Sequence, residues 1–111
     1  MLNKIKIYIA GHNGMIGSAI LKKFKKSKRF KLLYENKNKL NLADQSSVFK
    51  YLKKNKPDSV ILAAAKVGGI FTNNIDRASF IYENISIQSN VIHGSYLAGV
   101  KNLIFLGSSC I

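Results

Sequence analysis

Ile5-Lys6-Ile7-Tyr8-Ile9-Ala10-Gly11-His12-Asn13-Gly14-Met15-Ile16-Gly17 decides how this chain folds: a β-branched run, a turn holding three glycines, then the onset of helical spacing. Gly11 permits a tight turn, Gly14 lets backbone N–H groups come close to a phosphate, and Gly17 lets the helix pack closely on the strand. The first turn of that helix has N–H groups without helical partners, and the positive end of its dipole favours an anion. The stretch therefore reads as a dinucleotide-binding turn, with Gly11, His12, Asn13, Gly14, Met15, Ile16 and Gly17 as the first candidate cofactor residues. The backbone of His12 matters more in this reading than its ring. An ordinary strand-to-helix loop has the same glycine content, so the reading depends on the rest of the chain.

Working outward, short β-rich runs alternate with helical patterns. Residues 4–10 read as a strand, 15–28 as a helix with Ile16, Ala19, Ile20 and Phe24 facing inward, and 31–35 as a second strand. After a polar loop, Asp44 is placed to cap a helix over 45–54 with Val48, Phe49 and Leu52 inward. Pro57-Asp58 punctuates the chain, and 59–65 is a nearly all-apolar run of the kind found in a central parallel strand. A loop with Gly68-Gly69 leads to a long helix over 78–97, with Phe80, Ile81, Ile85, Gln88, Val91 and Ile92 as its inward stripe. Gly99 suits its C-terminal cap, and 102–107 is the last strand. The order β-α-β-α-β-α-β predicts an α/β fold, a Rossmann-like parallel sheet with helices on both faces, in which ligands bind beyond the carboxyl ends of the strands.

The 111 residues are enough for one small domain with a core, and 47% hydrophobic content argues against disorder. The formal net charge is +13, and nine of the 18 basic residues lie between Lys22 and Lys39. Such a cluster attracts anions, but Lys22, Lys23, Lys25, Lys26, Lys28 and Arg29 fall on the solvent side of the first helix. No aromatic-interleaved platform accompanies them, so nucleic acid is not an expected partner. Cys110 is the single cysteine, which excludes an intrachain disulfide and a cysteine metal cluster; no metal is expected. No signal-peptide core follows Met1 and no apolar run is long enough to span a bilayer. The expected setting is soluble, reducing and cytoplasmic, without a membrane partner.

Glu35 lies 18 positions beyond Gly17, close to the offset at which an acidic side chain meets the adenosine ribose hydroxyls. There it would repel a 2′-phosphate and favour NAD unless Lys37 or Lys39 supplied a compensating charge. Ala64 and Ala65 end the third strand, and Lys66 beyond them is placed to face a phosphate or a ribose. Leu106, Gly107, Ser108, Ser109 and Cys110 end the fourth strand at the same sheet edge. A serine there has the chemistry to hydrogen-bond a carbonyl undergoing reduction, and a thiol of pKa near ~8.5 to act as acid or base beside a carbon acidified by a ketone. Small residues also end strands for purely structural reasons. Asn84 and Gln88, one turn apart, either brace this loop or cap buried carbonyls.

The sequence Gly11-His12-Asn13-Gly14-Met15-Ile16-Gly17-Ser18-Ala19-Ile20, followed by Leu62-Ala63-Ala64-Ala65-Lys66-Val67-Gly68-Gly69-Ile70 and Phe105-Leu106-Gly107-Ser108-Ser109-Cys110-Ile111, closely resembles the GDP-L-fucose synthase family of the extended short-chain dehydrogenase/reductases. The resemblance implies NADPH-dependent epimerisation at C3 and C5 of GDP-4-keto-6-deoxy-D-mannose, followed by reduction at C4. It also implies NADP as cofactor with NAD as the alternative, and a homodimer for the complete enzyme. In that family the serine matching Ser108 holds the C4 oxygen, and the cysteine matching Cys110 is an acid/base in epimerisation. One ketone serves both halves of the reaction, because it acidifies C3–H and C5–H and then accepts hydride.

The family commonly grips the 2′-phosphate with basic residues in the glycine turn and at the end of strand two, where this chain has Asn13 and Glu35. The family's Tyr-x-x-x-Lys motif lies beyond the Ser-Ser-Cys word. Residues 1–111 are therefore expected to form an incomplete N-terminal dinucleotide-binding domain without the substrate domain, inactive alone. Two other readings stay open: another NAD(P)-dependent nucleotide-sugar epimerase or dehydratase, and a non-catalytic nucleotide-binding fragment.

Overall fold

A computed structural model describes residues 4–63 and 74–106, with the side chains of 74–77 and 80 left aside. The elements run β1 (Ile5–Ala10), α1 (Met15–Lys25), β2 (Phe30–Leu33), α2 (Gln45–Asn55), β3 (Ser59–Leu62), α3 (Asn74–Leu97) and β4 (Asn102–Phe105). All strand pairs are parallel, in the order β2-β1-β3-β4. Ile7 aligns with Leu32 on one side and with Ser59 on the other, so β1 sits between its two neighbours. The strand order reverses between β1 and β3, and their carboxyl ends open the crevice where such sheets take ligands.

Side chains alternate across the sheet and build a core on each face. Tyr8, Ala10, Val60 and Leu62 meet Val48 and Leu52 of α2 and Ile87 and Val91 of α3. On the other face Ile7, Ile9 and Ile61 meet Leu21 of α1, with Ile20, Phe24 and Tyr34 packed around them. Helices thus cover both faces, as the element order predicts.

Two inward stripes differ from the sequence reading. In α1 the buried residues are Gly17 and Leu21, with Ile20 and Phe24 half-buried, while Ile16 is 58% exposed and Ala19 faces solvent. In α3 the buried positions are Ile87, Asn90, Val91, Gly94 and Ser95, whereas Ile81, Ile85 and Ile92 are exposed. The physical reason is the same in both helices. A glycine lets the helix approach its neighbour, and the line through that glycine becomes the inner face whatever the flanking hydrophobicity. At Gly94 an added Cβ would lie 3.0 Å from both Leu52 Cδ1 and Phe49 Cδ1, which shows how closely α3 sits on α2.

The caps follow the sequence more closely. Asp44 is the N-cap of α2 by position, but its carboxylate accepts from the Ser47 hydroxyl at 2.6 Å and caps no helix amide. Gly99, at φ 77°, ends α3 in a Schellman motif: the Gly99 N–H donates to Tyr96 O at 3.2 Å and the Val100 N–H to Ser95 O at 3.0 Å. Among the described residues no helix is long and apolar enough to cross a membrane.

Candidate functional site

The site begins at the turn between β1 and α1. Gly11 has φ 91°, a conformation that side chains other than glycine's rarely adopt, and the Gly14 N–H closes the turn on Gly11 O at 3.1 Å. Gly14 is the N-cap of α1 and makes no side-chain cap. A Cβ on Gly17 would lie 1.9 Å from Gly11 O, so the helix start and the turn occupy space that only glycine leaves free. A Cβ on Gly14, by contrast, would meet Gly11 O at an ordinary 3.5 Å, and the residue is exposed. Packing within the protein accounts for Gly17; at Gly14 the open side faces solvent.

The Ser18 N–H donates to Gly14 O at 2.8 Å and begins the helical ladder, so the amides of Met15, Ile16 and Gly17 precede it. No acidic residue lies in the first turn of α1 to compete for them. The Met15 and Ile16 side chains point out to solvent, at 89% and 58% exposure, so their backbone is what they offer the site. This donor set fits a pyrophosphate, and the missing Cβ at Gly14 leaves room for its approach.

An open cleft of about 240 Å³ runs from this turn across the carboxyl ends of β1 and β2. Gly11, His12, Asn13, Gly14, Glu35 and Lys37 all line it, which brings the glycine turn together with the end of strand two. The His12 ring is buried against Tyr34 at a centroid distance of 4.9 Å, and Lys25 Nζ lies 5.3 Å from the centre of the same Tyr34 ring. His12 thus stiffens the cleft wall through its ring. Asn13 Nδ2 donates to Asn36 Oδ1 at 3.5 Å, linking the two loops across the mouth.

Sequence reasoning missed the far wall. Leu40, Asn41 and Leu42 line the cleft together with Ala63 of the β3 end and Glu83 and Ile87 of α3. The loop bearing them is fixed by Asn90, whose Nδ2 donates to Leu42 O at 2.9 Å. The available signal was the alternation Leu40-Asn41-Leu42 inside an otherwise polar loop, with Leu40 only 5% exposed.

Leu106 is half-buried, and its N–H donates to Leu62 O at 3.1 Å, continuing the β3–β4 ladder toward the same edge. Ala64, Ala65, Lys66, Gly107, Ser108, Ser109 and Cys110 lie outside the described residues.

Two phenols sit beneath the cleft. Tyr8 and Tyr51 have ring centroids 5.0 Å apart. Burial raises the Tyr8 pKa well above its ordinary 10.0, with Tyr51 and then Glu35 adding repulsion. Burial first, then the Glu35 charge, pushes Tyr51 up to about 12. Their protonated forms thus contribute stability that is fully present below the unfolded value of 10.0 and is lost as pH rises toward the folded values. Denaturant midpoints measured from pH 8 upward are expected to decline above pH 10, by about 1.4 kcal/mol per pH unit for buried Tyr8. Half-exposed Tyr51 adds less because solvent screens it, and Tyr51→Phe is expected to flatten the decline.

Residues 7–111 match the sequence model of the NAD dependent epimerase/dehydratase family. The chain is 48% identical over 111 residues to a GDP-L-fucose synthase of Sinorhizobium fredii, covering 100% of this chain and 35% of that protein. It is 44% identical over 110 residues to the GDP-L-fucose synthase of Escherichia coli, covering 99% and 34%. Among solved structures, a GDP-mannoheptose C4 reductase from Campylobacter jejuni with NADP bound superposes with a TM-score of 0.88 at 43% identity, over 96% of this chain and 34% of that one. The chain spans about a third of the length of the curated relatives it matches.

Proposed function

This chain belongs to the NAD dependent epimerase/dehydratase family, and from that premise we propose that it is the N-terminal dinucleotide-binding part of a GDP-L-fucose synthase. The enzyme converts GDP-4-keto-6-deoxy-D-mannose to GDP-L-fucose with NADPH, first epimerising C3 and C5 and then reducing C4. The observation that carries this reading is the likeness to synthases of that name along the whole chain. The cleft supports it independently, because a turn built for a phosphate opens at the reversal point of a parallel sheet.

In this reading the amides at the start of α1 hold the pyrophosphate, and Asn13, Glu35 and Lys37 surround the adenosine ribose. The cofactor, when bound, supplies the hydride taken up at C4. Ser108 orients the C4 oxygen and stabilises negative charge on it, and Cys110 exchanges protons at the carbons beside the ketone. NADP is the cofactor favoured, in line with the NADP-bound reductase of the same fold. A homodimer joined through the exposed apolar face of α3, with Ile81, Ile85, Ile92 and Tyr96, completes the proposal.

A second reading has its own observation: the Campylobacter protein is described as a C4 reductase of a GDP-mannoheptose. The full-length synthase of which residues 1–111 would be the N-terminal part, supplied with GDP-4-keto-6-deoxy-D-mannose, is expected to oxidise NADPH, form GDP-L-fucose and sediment as a dimer. Oxidation of NADPH only with a GDP-4-keto-heptose would transfer the assignment to the reductase reading. NADPH binding without turnover of either sugar would leave a nucleotide-binding protein, and a monomer would remove the α3 interface.

A further inference from the structure

The basic residues on the solvent side of α1 belong, in the fold, to a larger cationic pole. In a parallel sheet with returning helices, the amino ends of the strands and the carboxyl ends of the helices share one edge, here the edge opposite the cleft. Lys26 ends α1 at that edge, and Lys28 and Arg29 lead from it into β2. Lys54 and Lys56 end α2, and Lys101 precedes β4; all six side chains are exposed. Asp58, the acidic residue that shares this edge, is engaged within the protein, accepting from the Lys6 N–H at 2.8 Å. Glu35, Asp44 and Glu83 belong to the opposite edge, two lining the cleft and one at the start of α2. A cation or two at a helix carboxyl end complements the macrodipole, but this pole also holds cations where local structure disfavours them. Lys56 has φ 44°, a left-handed conformation that glycine takes most readily. Lys6 and Lys31 are register partners in β1 and β2, so two like charges leave the same face of the sheet side by side.

We propose that this pole is a docking surface for the headgroup face of an anionic lipid bilayer. Charge complementarity calls for an anionic partner, and three features select a bilayer over a nucleic acid or an acidic protein. All but Arg29 of the six exposed cations are lysines, compact hydrated charges suited to a diffuse field of headgroups, whereas the arginine fork suits individual nucleic-acid phosphates. Lysine is also depleted from the desolvated centre of protein interfaces. The aromatic pair Phe24 and Phe30 is turned on itself, edge to face with centroids 5.0 Å apart, and offers no platform for stacked bases. Contact of this kind lies on the bilayer, so it requires no apolar spanning segment. It leaves the cleft, at the other end of the sheet, directed away from the lipid, and it does not depend on what the cleft binds.

The test is sedimentation of the full-length protein that carries residues 1–111 with vesicles of phosphatidylglycerol and phosphatidylcholine, beside vesicles of phosphatidylcholine alone. Binding is expected to the anionic vesicles only, and is expected to vanish between about 0.1 and 0.5 M salt as the charges are screened. Lys28→Gln combined with Lys101→Gln is expected to weaken it about 30-fold. Gln45→Glu combined with Ser46→Glu lowers the net charge equally, at exposed positions that open α2 on the opposite edge, and is expected to weaken it less than about threefold. Thermal unfolding of each variant checks that it is folded; should the double lysine variant unfold early, Lys54→Gln decides, with an expected loss of about fivefold. Failure to bind anionic vesicles, equal binding to neutral ones, or equal losses in the two double variants would overturn the proposal. Tighter binding to oligouridine than to vesicles at the same phosphate concentration would overturn it in favour of a nucleic acid.

Discussion

Gly17→Ala is expected to abolish coenzyme binding and to destabilise the fold by more than about 3 kcal/mol. The added methyl would sit 1.9 Å from the carbonyl oxygen of Gly11 and 2.7 Å from its carbon. Both obstacles are backbone, so no side-chain rotation relieves the clash. Either α1 lifts from β1, uncovering Leu21, Ile7 and Ile9, or the turn abandons the positive φ of Gly11 and the bond from the Gly14 N–H. The first route costs buried apolar contact, and the second takes apart the phosphate cradle. Denaturant unfolding and NADPH titration on the same preparation measure the two losses; a variant of native stability that still binds NADPH would disprove the steric account.

Gly14→Val is expected to separate what Gly17→Ala joins. Its backbone is extended, at φ −75° and ψ 170°, which a β-branched residue adopts readily, and a Cβ there makes only ordinary contact with Gly11 O. The fold should therefore change by less than about 1 kcal/mol, the loss of a favourable N-cap glycine included. The isopropyl group would, however, stand in front of the amides that open α1. NADPH affinity is expected to fall by about 100-fold or more, equivalent to about 2.7 kcal/mol. Thermal unfolding beside a coenzyme titration checks both halves, and unchanged affinity would place the pyrophosphate elsewhere.

The sheet, its order of elements and the glycine turn were all legible in the sequence, because each rests on local chemistry. β-branched runs bounded by Gly, Pro and Asp make strands, and Gly11 and Gly99 take the positive φ that their turns need. The inner faces of α1 and α3 were not legible from hydrophobic spacing. Burial there is decided by what the helix touches: Gly17 against the turn, Gly94 against Leu52 and Phe49, and Asn90 against the carbonyl of Leu42. Small and polar residues carry those contacts, and an apolar count passes over them. The same blindness hid the far wall of the cleft, since the loop bearing Leu40, Asn41 and Leu42 is held by a partner 48 residues away. Glu35 was visible as an acidic residue at the right offset, but its place beside Leu40, Asn41 and Leu42 in the cleft is a tertiary fact.

The central place of β1 also governs how the chain reaches this structure. Tyr8 aligns with Leu33 on one edge and with Val60 on the other, so β1 is completed as a central strand only after two crossovers have formed. None of the described strand pairs is a hairpin, and each must close a long loop before it gains any hydrogen bond. Until β3 arrives, one edge of an almost wholly apolar strand stands open to pairing with other nascent chains. The feature that opens the cleft at the middle of the sheet is thus expected to slow co-translational folding, with the interval between synthesis of β1 and docking of β3 as the period most open to mispairing.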